Sequence, residues 1–183
     1  MLDDYLVAHC SPTLAGIKTG SLFTLRSKDK DSVISDIRDL NRRFTSKGLR
    51  IIPLKYKDSI LIYAYRPSQL DKDLRCPLAC NILKDKGYDI KSTDLCLVKL
   101  INKLRSEGDF PHEIGLFLGY PPTDVAGFIH SSTEGVKCVG CWKVYGDIKQ
   151  AQNTFSRYER CTKAYKNLIT HGSPLDELIV RVC

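Results

Sequence analysis

The sequence predicts an α+β fold: a single domain with a mixed sheet of about five strands covered by helices, and a long C-terminal helix. Three observations predict this class. Apolar residues recur at spacings of three and four in two segments, Asp31 to Phe44 and Asp147 to Ile169. Short runs rich in Ile, Leu and Tyr lie between them, most clearly from Leu49 to Tyr65. The length of 183 residues fits one domain, with residues 171–183 as a C-terminal tail.

The N-terminal part of the chain is predicted to alternate helix and strand. Leu2 to Cys10 is typical of a short helix, and Ser11-Pro12 should end it because the residue before a proline avoids the helical region. Ser21 to Arg26 is predicted as a strand. The helix that follows should end at Gly48, after an apolar stripe formed by Val33, Ile37, Leu40 and Phe44.

The central part of the chain is predicted to contain a hairpin and two helices. Leu49 to Tyr56 and Ser59 to Tyr65 should be its strands, with the turn at Lys57-Asp58. Helical patterns follow from Gln69 to Lys86, interrupted near Pro77, and from Thr93 to Ser106.

The last part of the chain is predicted to contain two more strands. Ile114 to Tyr120 is a continuous apolar run between prolines, which favours a buried strand. Val125 to His130 is then a helix, and Val136 to Tyr145 a strand, so the three would form a right-handed β-α-β crossover if the strands are parallel neighbours. The tail from Leu175 to Val182 is apolar enough to pack back on the sheet.

Charge and the N-terminal sequence restrict the class of protein. The chain begins with an acidic segment and no apolar stretch follows, so we expect a cytoplasmic protein with no membrane association. Lys and Arg exceed Asp and Glu by seven, but residues 92–134 contain more acidic than basic residues. Because the basic residues are scattered, they are compatible with nucleic-acid binding but do not favour it.

The chain contains eight cysteines. In a protein expected to be cytoplasmic, they are interpreted as free thiols or metal ligands in preference to disulfides. Cys138-Val-Gly-Cys141 has the spacing of a metal-ligand pair or a redox dithiol, and Cys76 with Cys80, one helical turn apart, could complete a zinc site. Along a regular strand the first pair would point to opposite faces, which weighs against this interpretation.

A thiol nucleophile is the second chemical possibility. An imidazole near a thiol takes its proton, and the thiolate attacks. His112 is the better partner for Cys10, with Glu113 to orient the imidazole, since adjacent residues such as His9 and Cys10 rarely have the required geometry. A packing role remains the simpler interpretation for Cys96, Cys161 and Cys183.

Several segments of the chain form a recognisable set: His9 to Gly16, Pro111 to Pro121, Asp124-Val125 with Gly127-Phe128, Gly140 with Trp142 to Tyr145, and Phe155, Tyr158 and Cys161. Together they resemble a known family, the bacterial domain of unknown function 3793. The resemblance covers about residues 5–165 and implies a bacterial, cytosolic, single-domain protein without an assigned activity. The family often has an aromatic residue where this chain has Cys141, which weakens the case for a shared metal pair.

Two functional hypotheses follow. The first is a thiol- or metal-linked site, holding iron or zinc if a metal is present, because these metals suit thiolate and imidazole ligands. The second is a non-catalytic binding or regulatory module for an anionic or nucleotide-like ligand, held by stacking and nearby basic groups. The residues of the first are Cys10, His112 and Glu113 as catalytic groups, with His9, Cys138 and Cys161 as metal ligands; those of the second are Trp142, Lys143 and Tyr145.

Overall fold

The computed structural model describes residues 2–56, 59–106 and 109–182. The chain divides into two compact units. The first unit comprises residues 1–69 and 158–183, and the second comprises residues 70–157. The boundaries between them in the chain fall within two helices, α3 (Pro67–Leu74) and α8 (Ile148–Thr170). The predicted α+β class is confirmed, with corrections to its strands given below.

A three-stranded antiparallel sheet forms the centre of the first unit. Its strands are β1 (Gly20–Leu25), β2 (Arg50–Tyr56) and β3 (Ile60–Tyr65), in the order β1-β3-β2. Leu22 pairs with Tyr63 across β1 and β3, and the register of β2 shifts once, after Pro53. The predicted hairpin strands are therefore confirmed, whereas the predicted turn at Lys57-Asp58 lies outside the described residues.

Two helices and the tail pack against this sheet. The second of them, α2 (Lys30–Phe44), begins where the Asp29 side chain accepts a hydrogen bond from the Ser32 N–H at 2.9 Å, which is an N-cap. Its predicted apolar stripe is buried, as expected from the spacing. The core of this unit also contains Leu6 and Leu14 of the first helix, Ile60 and Ile62 of the sheet, and Leu175, Leu178 and Ile179 of the tail, so the predicted packing of the tail is confirmed.

The first helix is longer than the sequence predicts. It spans Leu2–Leu14 and includes Pro12, whereas the predicted helix ends at Cys10, before Ser11-Pro12. A proline removes one helical hydrogen bond, yet here the last turn is buried, and the Ser11 hydroxyl donates to the Val7 carbonyl. Burial of Leu14 and its neighbours thus outweighs the local effect of the proline.

A buried arginine joins the end of this helix to two other segments of the first unit. Arg66 has no exposed surface, and its Nε donates to the Thr13 carbonyl at 2.8 Å. One terminal nitrogen donates to the Leu14 carbonyl, and the other donates to the Lys47 carbonyl at 2.7 Å. The tail binds the same carbonyls, because Val180 N–H donates to Leu14 and Val182 N–H to Lys47. The guanidinium therefore lies where three separate stretches of the chain meet.

The second unit is mainly helical. It contains α4 (Pro77–Asp85), α5 (Thr93–Arg105), α6 (Ile114–Phe117) and α7 (Pro122–His130), the last residues of α3, the first residues of α8 and a short hairpin described below. The interruption of the third helix before Pro77 and the helices from Thr93 and from Pro122 confirm the predictions for these segments. Within the described residues, no helix combines the length and the apolar character needed to cross a bilayer.

The predicted buried strand from Ile114 to Tyr120 is wrong. This run is buried, as expected, but it forms the short helix α6 followed by a turn at Gly119, whose φ is 76°. A residue with a side chain rarely adopts that backbone conformation, so Gly119 allows the chain to leave the helix at this point. An apolar run buried on all sides has no periodicity that separates a strand from a helix.

The second predicted strand is also wrong in its extent. Val136 to Tyr145 contains two strands of two residues each, β4 (Cys138–Val139) and β5 (Lys143–Val144), paired antiparallel as a tight hairpin. The described strands therefore form one sheet of three and one of two, both antiparallel, in place of a five-stranded mixed sheet. A right-handed β-α-β crossover is excluded here, because its first strand is helical and the second turns back on itself.

Candidate functional site

A pocket of about 430 Å³ lies in the second unit, between the segment that precedes α6, helix α7 and the hairpin. Its lining is largely apolar and aromatic. Basic and acidic groups also reach it, from His112, Lys143 and Asp124. The remaining lining residues are Phe110, Ile114, Gly115, Tyr120, Val125, Phe128 and Trp142.

Stacked aromatic rings form one wall of this pocket. The rings of Tyr120 and Trp142 lie 4.8 Å apart between centroids, and the indole meets the ring of Phe155 edge-on at 4.6 Å. The hairpin can approach Phe155 this closely because residue 140 is glycine, and a Cβ at that position would overlap the ring. Burial, with a smaller effect of Cys141, raises the pKa of Tyr120 to about 12, so its hydroxyl remains protonated at neutral pH.

Asp124 fixes the orientation of Trp142. This carboxylate is buried, and it accepts hydrogen bonds from the indole Nε1–H at 2.7 Å, the Tyr145 N–H at 2.9 Å and the Gly146 N–H at 2.7 Å. A buried carboxylate is stable only when donors such as these compensate for its lost hydration. Helix α7 thus holds both the hairpin backbone and the indole in place.

The basic groups of the pocket both lie against Phe128. The imidazole of His112 meets this ring edge-on at 5.0 Å between centroids. The ammonium of Lys143 lies 5.6 Å from the ring centroid and donates to the Ser132 carbonyl at 2.6 Å. His112 is exposed and Lys143 is half-buried, so both can meet a ligand that enters from solvent.

Glu113, which follows His112 in the chain, has a different environment. It is 3% exposed, and its Oε1 accepts hydrogen bonds from the Tyr88 hydroxyl at 3.0 Å and from Lys103 Nζ at 2.6 Å. Burial acts to raise the pKa of Glu113, but the bonds from Lys103 and Tyr88 outweigh it and hold the pKa below its usual value. Glu113 thus forms a partly buried ion pair with Lys103. Its predicted role in orienting the imidazole of His112 stays a prediction.

This ion pair predicts a dependence of stability on pH. A carboxyl group whose pKa is lowered by folding stabilises the protein above its ordinary pKa, about 4.5, and loses that contribution as the pH falls through the folded value. We expect Glu113→Gln to lower the free energy of unfolding by about 2 kcal/mol at pH 7, a typical value for hydrogen bonds to a charged group. The difference from wild type should shrink between pH 5 and pH 3, as measured by urea denaturation. An equal difference at pH 7 and pH 3 would contradict the lowered pKa.

Cys10 lies inside the first unit, with no exposed surface. Burial, partly offset by Lys18 and by a hydrogen bond with Ser21, raises the pKa of the Cys10 thiol to about 12. A thiol nucleophile needs its thiolate form, which this environment disfavours at neutral pH. Cys10 and its predicted partner His112 belong to different units, and the catalytic role of the pair stays a prediction.

The predicted metal ligands are distributed over both units. His9 and Cys161 belong to the first unit, where the exposed imidazole of His9 stacks on the ring of Phe23 at 5.5 Å between centroids. Cys138 belongs to the second unit, as do Cys76 and Cys80. Across residues 2–56, 59–106 and 109–182, no three His, Cys, Asp or Glu side chains are close enough together to hold a metal ion. The assignment of iron or zinc therefore gains no support from the described residues.

The residues of the second hypothesis are partly brought together. Trp142 and Lys143 line the pocket, and His112, predicted as a catalytic group, lines it as well. Tyr145 does not belong to the lining; its hydroxyl donates to the Ser131 carbonyl at 2.7 Å and its ring packs closely against Gly127. The sequence prediction missed Phe110, Tyr120, Asp124 and Phe128 as site residues. The density of aromatic residues between 110 and 145 is a signal that could have indicated Phe110, Tyr120 and Phe128, but not Asp124.

Comparison with known proteins identifies a family and no individual relative. The family model described as "Protein of unknown function (DUF3793)" matches residues 6–179, nearly the whole chain, and confirms the resemblance noted in the sequence. No curated protein and no solved structure matches the chain.

Proposed function

Because the chain belongs to the DUF3793 family, which has no assigned activity, we propose a function from the geometry of the pocket alone. The second unit is a binding module that holds a small planar organic ligand between the aromatic walls of its pocket. The proposed site retains Trp142 and Lys143 from the binding hypothesis drawn from the sequence, and it contains Phe128 in place of Tyr145.

The main support for this proposal is the aromatic lining of a pocket that is large enough for a small molecule. The volume of about 430 Å³ falls within the range of roughly 300–1,000 Å³ typical of small-molecule sites. Phe110, Tyr120, Phe128 and Trp142 line it, and flat ligands gain about 1–3 kcal/mol from each ring they stack on.

The fixed orientation of the indole supports the same proposal. Asp124 and Phe155 hold Trp142 in place before any ligand arrives. A preformed wall lowers the entropy lost on binding, because the indole need not be ordered by the ligand. Phe110 is 51% exposed, and a bound ring would cover the apolar surface that this side chain now presents to water.

Binding of a neutral ring compound tests the proposal. We expect 2-naphthamide to bind the full chain in calorimetric titrations, and Phe128→Ala to weaken this binding about tenfold, which corresponds to the loss of one stacking contact. Phe110→Ala should weaken it to a smaller extent, and because Phe110 is half-exposed this variant removes little packing.

A matched control lies in the other unit. Leu22→Ala removes a half-buried apolar side chain from β1 and should leave the affinity for 2-naphthamide unchanged. The fluorescence of Trp142, the single tryptophan of the chain, should be the same in each unliganded variant and thereby show that the pocket remains folded. Failure of 2-naphthamide, naphthalene-2-carboxylate, 2-naphthyl phosphate and 2-naphthyltrimethylammonium alike to bind the wild-type protein, or equal loss in Leu22→Ala, would overturn the proposed function.

A further inference from the structure

The charges around the pocket narrow the ligand class further. We propose that the ligand is an aromatic carboxylate, whose ring lies on the wall formed by Tyr120 and Trp142 and whose carboxylate binds Lys143 and His112 beside Phe128. This inference rests on the proposed function and names its substrate class. The supporting observation is that the aromatic wall of Tyr120 and Trp142 lies in the same pocket as two basic side chains that both contact the ring of Phe128.

The acidic residue of the pocket does not oppose an anion strongly. Both oxygens of Asp124 already accept hydrogen bonds, Oδ1 from the Tyr145 and Gly146 N–H groups and Oδ2 from the indole. Donors that converge on a carboxylate in this way reduce its effect on neighbouring groups. His112 and Lys143 are therefore the groups left to set the charge preference among the described lining residues.

A cationic ligand suits the same pocket poorly. Aromatic boxes bind ammonium groups through the faces of their rings. Here the ammonium of Lys143 already lies over Phe128, so a ligand cation would have to displace it and would meet its charge. An anion gains from the same arrangement, because it can pair with Lys143 without displacing this ammonium from its position over one face of the Phe128 ring.

The number of available donors favours a carboxylate over a phosphate. An ammonium has three N–H groups, and Lys143 gives one to the Ser132 carbonyl, which leaves two for a ligand. Phosphates are usually held by several donors at once, often at a helix N-terminus. Helix α7 begins next to the pocket at Pro122, directly after Pro121, and neither proline has an N–H. The N–H groups of Asp124 and Val125 both donate to the Pro121 carbonyl.

Four ring compounds that differ in one substituent test this inference. Calorimetric titrations of the full chain at 50 mM salt would compare naphthalene-2-carboxylate, 2-naphthamide, 2-naphthyl phosphate and 2-naphthyltrimethylammonium. We expect the carboxylate to bind about tenfold tighter than the amide, the gain expected from a charge-assisted hydrogen bond. This preference should fall as salt rises to 200 mM, since screening weakens exposed charge pairs.

Variants then assign the preference to Lys143. Lys143→Gln should remove most of the preference for the carboxylate over the amide, and His112→Gln should have a smaller effect of the same kind. Lys137→Gln is the matched control, because Lys137 lies on the same hairpin segment and donates to the Gly146 carbonyl at 2.8 Å, outside the pocket lining.

The outcomes separate the inference from the proposed function. Equal affinities for carboxylate and amide, or tighter binding of the phosphate or the trimethylammonium compound, would overturn the carboxylate class while the pocket remained a ring-binding site. An unchanged preference in Lys143→Gln would also overturn it. No binding of any of the four compounds would overturn the proposed function itself.

Discussion

Replacement of Asp124 by alanine is expected to lower the free energy of unfolding of the second unit by about 3 kcal/mol or more. The change removes the acceptor for the indole of Trp142 and for the backbone N–H groups of Tyr145 and Gly146. Each buried donor left without a partner costs about 1–3 kcal/mol. Urea denaturation followed by the fluorescence of Trp142 measures this loss, because the single tryptophan reports on the second unit.

The size of the side chain can be separated from its role as an acceptor. Asp124→Asn retains the shape of the side chain and one acceptor oxygen, but its amide N–H₂ would face a donor. We therefore expect its stability to lie between wild type and Asp124→Ala. Asp94→Ala is the control, since Asp94 is exposed on α5 and its removal should change the stability by no more than about 0.5 kcal/mol. A loss in Asp124→Ala no larger than in this control would contradict the anchoring role.

Replacement of Arg66 should destabilise the first unit by a comparable amount. Arg66→Met keeps most of the buried apolar volume and removes the bonds to the carbonyls of Thr13, Leu14 and Lys47, so we expect a loss of about 3 kcal/mol. Arg66→Lys should be at least as damaging, because a single ammonium cannot reach all three carbonyls and leaves a buried charge incompletely paired.

Thermal unfolding followed by circular dichroism tests the order of these variants. We expect the melting temperature to fall from wild type to Arg66→Met and to be lowest, or equally low, in Arg66→Lys. Arg50→Met is the matched control, since Arg50 is an exposed arginine of β2. A melting temperature of Arg66→Lys equal to wild type would show that the fork of the guanidinium is not needed.

The parts of the fold that could be predicted from sequence are those specified by neighbouring residues. The apolar stripe of α2 lies within a few turns, so the spacing of its residues predicts it. Ile114 to Phe117 could not be assigned in this way, because a run that is buried on every side is apolar throughout whether it forms a helix or a strand. The predicted end of the first helix at Cys10 is wrong, because the burial of its last turn overrides the local effect of Pro12.

The candidate site was only partly predictable for a different reason. Trp142 and Lys143 were identified because an aromatic and a basic residue adjoin in the chain, whereas Phe110 and Phe128 join them only through the fold. The prediction of Cys10 as a nucleophile rests on the reactivity of its thiol. That reactivity depends on solvation, and the burial that raises its pKa is not visible in the sequence around it.

The composition of the first unit has a consequence for the order in which the chain folds during synthesis. Its core includes Leu6 and Ile62 together with Leu178 and Ile179, which a ribosome adds more than a hundred residues later. Residues 70–157 form the second unit without interruption and can reach their structure as soon as they emerge. Residues 2–69 must instead wait with their apolar surface uncovered until the last segment arrives. We therefore expect the protein to depend most on chaperones during the part of synthesis in which residues 2–69 have emerged and the C-terminal segment has not.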